Sequence, residues 1–179
     1  MRIRGIVWLR EIVDKLAVKH HGEPYEVEEV IANTNQFRFL EKGERRGEDV
    51  YIALGQSDAG RYLAVLFIYT KTREALILSA RDMEARKENS MAKNKAKPFP
   101  RLKSVDELVE FFDKHDMGDY WDRLPKAEFE VNIKTRKHLV AIDEKIIPSI
   151  NQIAKSKRVT SAKLINTWLR EKIATSKRA

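Results

Sequence analysis

Four strand-like runs follow one another between residues 36 and 82, and they constrain the fold more than any other feature of the chain. Residues typical of β-strands (Ile, Val, Leu, Tyr and Phe) dominate each run: QFRFLEK, EDVYIALGQ, RYLAVLFIYT and REALILSARD. The separators have the length and composition of hairpin turns: KGERRG, SDAG and KT. The pattern predicts a four-stranded antiparallel meander.

Two helical patterns precede these strands. Apolar residues recur among charges at roughly helical spacing in VWLREIVDKLAVKHHG, which ends near Gly22. Pro24 then opens a second, acidic helix, YEVEEVIAN. Helices followed by an antiparallel sheet predict the α+β class for the first half of the chain.

The charge of the chain is unevenly distributed along its second half. The chain has a net charge of +8, but residues 1–90 carry as many acids as bases. Residues 91–103 carry five bases and no acid, residues 104–133 three bases and nine acids, and residues 134–179 twelve bases and three acids. The pattern predicts a basic linker, an acidic arm and a basic end. Such an end often contacts phosphate backbones, although a solvated lysine face is the simpler alternative.

The acidic arm begins with a helix. Ser104 is a good N-cap and Glu107 follows three residues later, which is the pattern of a capping box. The helix VDELVEFFDKH then presents an apolar stripe. Aromatic residues continue in DYWDRL, so this arm has the composition of a segment that anchors an interface.

A short alternating stretch, KHLVAIDEKI (137–146), leads into two more helices. Asp143 is a candidate N-cap, and the turn RVTS joins the helix IIPSINQIAKSK to the amphipathic helix AKLINTWLREKIA. A single strand cannot pair its own backbone groups. We therefore expect this strand to pair with its copy in a homodimer.

This strand–helix–turn–helix order resembles the ribbon-helix-helix fold, and residues 137–173 are most similar to the CopG-type antitoxins, above all in LINTWLREKI. The resemblance implies that two chains form an antiparallel ribbon that enters the DNA major groove. The DNA-binding residues would be Lys137, Leu139 and Ala141 on the groove face, and Lys155, Lys157, Arg158 and Thr160 at the phosphates. Leu139 and Ala141 can only touch thymine methyls, so we expect weak sequence readout. A dimerisation module that does not bind DNA is the alternative.

The first half resembles the BrnT family of ribonuclease toxins. The motifs VWLREIVDKLAVKHHG, EVEEV, GERRGEDVYIALGQSDAGRYLAVLF and LILSARDM carry the resemblance, which covers nearly all of residues 5–88. The partners of that family are ribbon-helix-helix antitoxins of the BrnA and CopG type. Together the two resemblances imply a toxin joined to its antitoxin, with Met91 as the former antitoxin start. The implied divisions are a toxin (1–88), a basic linker (89–103), an acidic neutralising arm (104–136) and a ribbon-helix-helix domain (137–179).

Metal-independent RNA cleavage needs a base, an acid and cations that stabilise charge on the phosphate. The family-like motifs supply the candidate catalytic residues Lys19, His20, Glu48, Arg61 and Arg81, and the candidate RNA-binding residues Trp8 and Arg46. Each has a structural alternative: KHHG as a helix C-terminus, ERRGED as a solvated loop, and Trp8 in the core.

We expect the acidic arm to cover this basic surface and to keep the nuclease inactive. The candidate neutralising residues are apolar or aromatic: Leu108, Phe111, Phe112, Tyr120 and Trp121. The alternative is that the arm packs only on its own ribbon-helix-helix module.

Composition narrows the remaining function classes. The chain has no cysteine, which excludes disulfides and thiolate chemistry, and four scattered histidines make a poor metal site, so we expect no metal and no cofactor. No apolar run is long enough to span a membrane, and we expect a cytoplasmic homodimer with RNA and operator DNA as partners. The alternative function is a transcriptional regulator whose N-terminal domain is inactive and serves only in assembly.

Overall fold

The structure is a computed structural model that describes residues 1–20, 22–83 and 98–177, without the side chains of Lys19 and His20. It divides into two compact units, Met1–Leu139 and Val140–Ala179. Met91 and most of the predicted linker lie outside the described residues. No helix in the described ranges has the length and hydropathy needed to cross a bilayer.

The first unit is built on a mixed seven-stranded sheet with the strand order β6-β2-β3-β4-β5-β1-β7. The strands are β1 (Arg2–Leu9), β2 (Gln36–Glu41), β3 (Asp49–Gln56), β4 (Tyr62–Tyr69), β5 (Glu74–Asp82), β6 (Lys126–Ala127) and β7 (Glu130–Leu139). The predicted meander is present as β2 to β5, which pair antiparallel in sequence order. The expected four-stranded sheet is therefore only the centre of a larger one, because β1 pairs parallel with β5, and β7 parallel with β1.

Within the described ranges, five α-helices accompany the strands. They are α1 (Arg10–His20), α2 (Pro24–Asn33), α3 (Val105–Lys114), α4 (Ile147–Ser156) and α5 (Ser161–Ser176). The N-terminal pattern was predicted to be helical from its start, which is wrong, because residues 2–9 form a strand. Ile6, Val7 and Trp8 are all buried in succession, as a strand covered on both faces requires.

Two apolar cores lie on the sheet. The first contains residues of α1 and α2 packed on β1, β3 and β4, with Trp8, Val30 and Phe67 among its buried members. The second contains α3 and the short 3-10 turns between residues 117 and 123, packed on the sheet through β2 to β5. The acidic arm therefore belongs to the first unit and completes its fold.

The sheet is strongly curled. β6 and β7 stand at opposite ends of the strand order, yet only Glu128 and Phe129 separate them along the chain. A connection this short spans about 11 Å at most, so the two edges must lie close together. The ring of Phe129 fills the interior, with centroids 4.9 Å from Phe37 and 5.0 Å from Tyr51. Residues 98–139 thus contact both cores and pair with both β2 and β1.

Strand β7 is fitted closely against β1. Gly5 lies opposite Thr135, and a Cβ at Gly5 would stand only 2.3 Å from the Thr135 hydroxyl oxygen. Three ion pairs join basic and acidic side chains across this region: Arg2 to Glu130 (2.6 Å), Lys137 to Glu74 (2.6 Å) and Arg136 to Glu28 (2.5 Å).

The predicted ribbon strand is corrected by this pairing. Residues 137–139 are the end of β7, whereas residues 140–143 have no regular secondary structure. Pairing with β1 satisfies the backbone groups along one edge of β7, which is the last strand in the strand order. Asp143 caps a 3-10 turn, Glu144–Ile146, rather than α4 itself.

The second unit consists mainly of α4 and α5, the two helices predicted there. Thr160 is the N-cap of α5, as predicted, and its Oγ1 accepts a hydrogen bond from the backbone N–H of Lys163 at 3.2 Å. Its buried core has three members: Ile150, Ala154 and Leu164. Several large apolar side chains of this unit are exposed: Val140, Ile142, Ile146, Trp168, Leu169 and Ile173.

Candidate active site and nucleic-acid interface

Arg61 is held by two carboxylates at the start of β4. Its Nε and Nη2 donate to the two oxygens of Asp82, at 2.5 and 2.7 Å, and its Nη1 donates to Glu26 at 3.1 Å. The hydrogen bonding of Arg61 to the Asp82 carboxylate is the main cause that raises the pKa of Arg61. A phosphate at this position would have to compete with both carboxylates.

The C-terminal end of α1 reaches the same end of the sheet. Gly22 lies against Arg61, since a Cβ there would be 3.2 Å from the arginine Nη1. Lys19 and His20 are the last two residues of α1, just before this point, but the structure does not describe their side chains. Their predicted roles therefore rest on the sequence.

Arg46 and Glu48 lie in the loop between β2 and β3, at the other end of the strands. The register places Asp49 beside Tyr69, and Gln56 beside Tyr62 next to Arg61. A strand of this length spans about 20 Å, so the loop stands that far from Arg61. The predicted catalytic residues are thus divided between two ends of the sheet. In the part of the chain that the structure covers, no group of three His, Asp or Glu residues could hold a metal ion.

Trp8 is part of the first core. Its side chain is fully buried, and its Nε1 donates to a carboxylate oxygen of Glu28 at 3.2 Å. The ring therefore has no exposed face on which an RNA base could stack.

Arg81 lies on the sheet face that α3 covers. Its Nη2 donates to the backbone carbonyl of His115, and its guanidinium carbon stands 5.2 Å from the centroid of the Phe112 ring. Its Nε is buried with no hydrogen-bond partner among the described residues. The predicted phosphate clamp is thus covered by the acidic arm.

Three polar residues that contact the acidic arm were not predicted as site residues. Arg38 of β2 lies 4.4 Å from the centroid of the Trp121 ring, and its Nε is also buried without a partner among the described residues. Lys15 of α1 and the buried Ser79 of β5 both bind Asp113 of α3. One signal was available, because Arg38, Ser79 and Arg81 are polar positions inside apolar strand runs.

The arm is bound chiefly by apolar contacts. Leu108 and Phe112 are fully buried, and Tyr120 and Trp121 are nearly so. Phe111 is half-buried and stacks on His115, with ring centroids 4.0 Å apart.

One contact between the arm and the sheet is unfavourable. Glu41 of β2 faces Glu107 of α3, and burial and then the charge of Glu107 raise the pKa of Glu41. The folded unit therefore disfavours the charged form of Glu41.

The residues predicted to form the DNA groove face do not all lie on one strand. Lys137 is paired with Glu74; burial tends to raise the pKa of Glu74, but hydrogen bonds from Lys137 and Thr72 lower it overall. Leu139 ends β7 opposite Leu9, and Ala141 lies beyond the strand, so these three residues do not share one strand face.

The predicted phosphate contacts remain available in the second unit. Lys155, Lys157 and Arg158 are exposed around the α4–α5 turn, where Thr160 begins α5. Arg158 has a left-handed backbone (φ 53°), which helps to make the turn tight.

Comparison with protein families concerns the second half of the chain. Residues 97–172 match the family described as the CopG antitoxin of type II toxin-antitoxin systems. The matched range includes α3, β7 and α4, and it ends inside α5. It supports an antitoxin segment and a toxin-antitoxin role. Neither the curated proteins nor the solved structures gave a match. The BrnT resemblance of residues 5–88 stays a prediction.

Proposed function

We propose that this chain is a toxin-antitoxin system in a single polypeptide. Its first part is a metal-independent endoribonuclease of the BrnT type, and its second part is the antitoxin that silences it, dimerises and binds operator DNA. One observation carries the proposal. The part of the antitoxin-like range between residues 98 and 139 wraps both cores and both edges of the sheet formed by residues 2–82.

The chemistry under the arm supports an inhibited nucleic-acid surface. Arg38 and Arg81 are covered by the aromatic rings of Trp121 and Phe112 instead of by carboxylates. Guanidinium groups that keep unused donors are suited to bind phosphate oxygens once the rings are removed.

The second unit supports dimerisation. A unit of about forty residues with a core of three buried side chains is too small to be stable alone. Its exposed apolar residues therefore favour a second copy as their cover. Beside them, Lys155, Lys157 and Arg158, with the free backbone N–H groups at the start of α5, form a basic surface suited to the phosphates of DNA.

The proposed nuclease is tested by opening the arm in the full chain. The double variant Phe112→Asp and Trp121→Asp places two charges in the second core, so the arm should separate from the sheet. We expect this variant to cleave RNA and arrest growth. Adding Arg81→Ala should lower cleavage by on the order of a hundredfold or more. The matched control, Lys114→Asp with Arg123→Asp, changes exposed residues of the same segment and should stay inactive.

One outcome of this experiment would contradict the nuclease proposal. If the opened chain keeps its strand content by circular dichroism but cleaves no RNA, the nuclease assignment is wrong. The regulator with an inactive N-terminal domain would then be favoured, and one observation already supports it, since Glu48 lies far from Arg61.

DNA binding has its own test. A gel shift with the full chain and its operator should weaken steeply between about 50 and 200 mM salt, because phosphate contacts release counterions. Lys157→Ala with Arg158→Ala should reduce both the affinity and the salt slope. Binding that is insensitive to salt and to these changes would contradict a contact led by phosphates.

A further inference from the structure

Asp113 is the acidic side chain that the arm inserts against the polar positions of the sheet. It lies in the last turn of α3, with one carboxylate oxygen bound to the Nζ of Lys15 and the other accepting the Ser79 hydroxyl at 3.0 Å. Lys15 also donates to the Ser79 oxygen at 3.3 Å. Ser79 is almost completely buried, and Lys15 and Asp113 are mostly so.

Arg81 continues this polar row. It follows Ser79 by two residues on β5, so both side chains point to the same face of the sheet. Its Nη2 binds the carbonyl of His115, the residue that ends α3. The C-terminal turn of α3 thus brings a carboxylate and the negative end of a helix dipole to Lys15, Ser79 and Arg81.

Donors outnumber acceptors in this row. An ammonium has three N–H donors and a guanidinium five, whereas the arm supplies one carboxylate and one carbonyl. The buried Nε of Arg81 is left without a partner among the described residues. An unsatisfied buried donor costs about 1–3 kcal/mol. A surface whose only role was to hold α3 would gain from an apolar residue there, so the excess of donors points to a ligand with more oxygens than a carboxylate.

We propose that Lys15, Ser79 and Arg81 form a binding site for an RNA backbone phosphate, and that the Asp113 carboxylate occupies this site as a phosphate mimic in the full chain. The inference rests on the proposed nuclease and names both its ligand site and the means of its inhibition. Carboxylate and phosphate accept charge-assisted hydrogen bonds from the same donors, so a phosphate can replace the Asp113 carboxylate at this site.

The test removes the mimic and measures binding. In a chain whose arm is loosened by Phe112→Ala, we expect Asp113→Ala to raise the affinity for a short 2′-O-methyl oligoribonucleotide, which cannot be cleaved through its 2′ oxygen, at least tenfold over Phe112→Ala alone. Fluorescence anisotropy measures this, and inorganic phosphate at millimolar concentration should displace the oligonucleotide. Adding Lys15→Ala should abolish the gain. The matched control is Glu110→Ala, which removes one negative charge from an exposed position of the same helix and should leave binding unchanged.

Several outcomes would overturn the site. Asp113→Ala could lower the melting temperature without any gain in binding, in which case the residue only fastens α3. An equal gain in Glu110→Ala would mean that net charge alone acts.

The site and the nuclease can fail separately. If binding depends on Lys15 but no variant cleaves RNA, the phosphate site stands and the nuclease is wrong. If the chain opened at Phe112 and Trp121 cleaves RNA equally well with Lys15→Ala, the nuclease stands and the site is wrong.

Discussion

Truncation of Phe112 tests whether the arm is part of the folded core of the first unit. The ring is fully buried between α3 and the sheet, and the Arg81 guanidinium lies over it at 5.2 Å. Phe112→Ala removes both contacts and leaves a cavity that the curled sheet cannot easily fill.

The size of the effect follows from these contacts. Truncating a core phenylalanine to alanine costs about 3–5 kcal/mol, and a partly desolvated cation–π contact adds about 1 kcal/mol. For a unit of this size each kcal/mol lowers the melting temperature by about 3–4 °C, which gives a loss of about 12–24 °C. If the loss falls on arm docking alone, about 4 kcal/mol raises the open fraction about a thousandfold.

The assay is thermal unfolding of the full chain, followed by circular dichroism in the far ultraviolet. Phe111→Ala is the matched control, because it truncates the same residue type one position earlier, where the side chain is half-buried. It loses the ring contacts with Phe99 and Tyr120 and should cost only about 1–2 kcal/mol. Equal losses in the two variants, or a shift of less than about 3 °C for Phe112→Ala, would refute the packing argument.

Three further predictions address other parts of the chain. Gly5→Ala should lower the melting temperature strongly because the new Cβ would clash with the Thr135 hydroxyl. Adding Thr135→Ala should restore part of the loss. If the second change restores nothing, β7 is not paired with β1 as described. The raised pKa of Glu41 means that folding disfavours its charged form, so the contribution of Glu41 to the free energy of unfolding falls as the pH rises through the folded pKa and is highest near pH 4, where Glu41 is protonated. Glu41→Gln should therefore stabilise the chain against urea at pH 7 but not near pH 4. An equal gain in stability at both pH values would contradict this. Ile173→Asp changes an exposed side chain, so it should break the proposed dimer in light scattering without unfolding α5, and an unchanged mass would exclude α5 from the interface.

Local patterns in the sequence determined the elements that depend on near neighbours. The meander was predictable because runs of strand-forming apolar residues and hairpin-length separators recur within a few positions of each other. The helix caps were equally local: Ser104 accepts the backbone N–H of Glu107 at 3.1 Å, and Thr160 caps α5 in the same way. The apolar face of the arm was visible from its spacing alone.

Tertiary structure decided which strand pairs with which, and therefore what the candidate site contains. The alternation in residues 137–142 predicted a strand but carried no information about its partner, since either β1 or a second copy can pair with an edge of such a strand. Arg38, Lys15 and Ser79 were missed for a related reason. Their side chains acquire a common role only when the sheet curls and α3 covers it, and contacts between residues so far apart in the chain leave no periodic signal in the sequence.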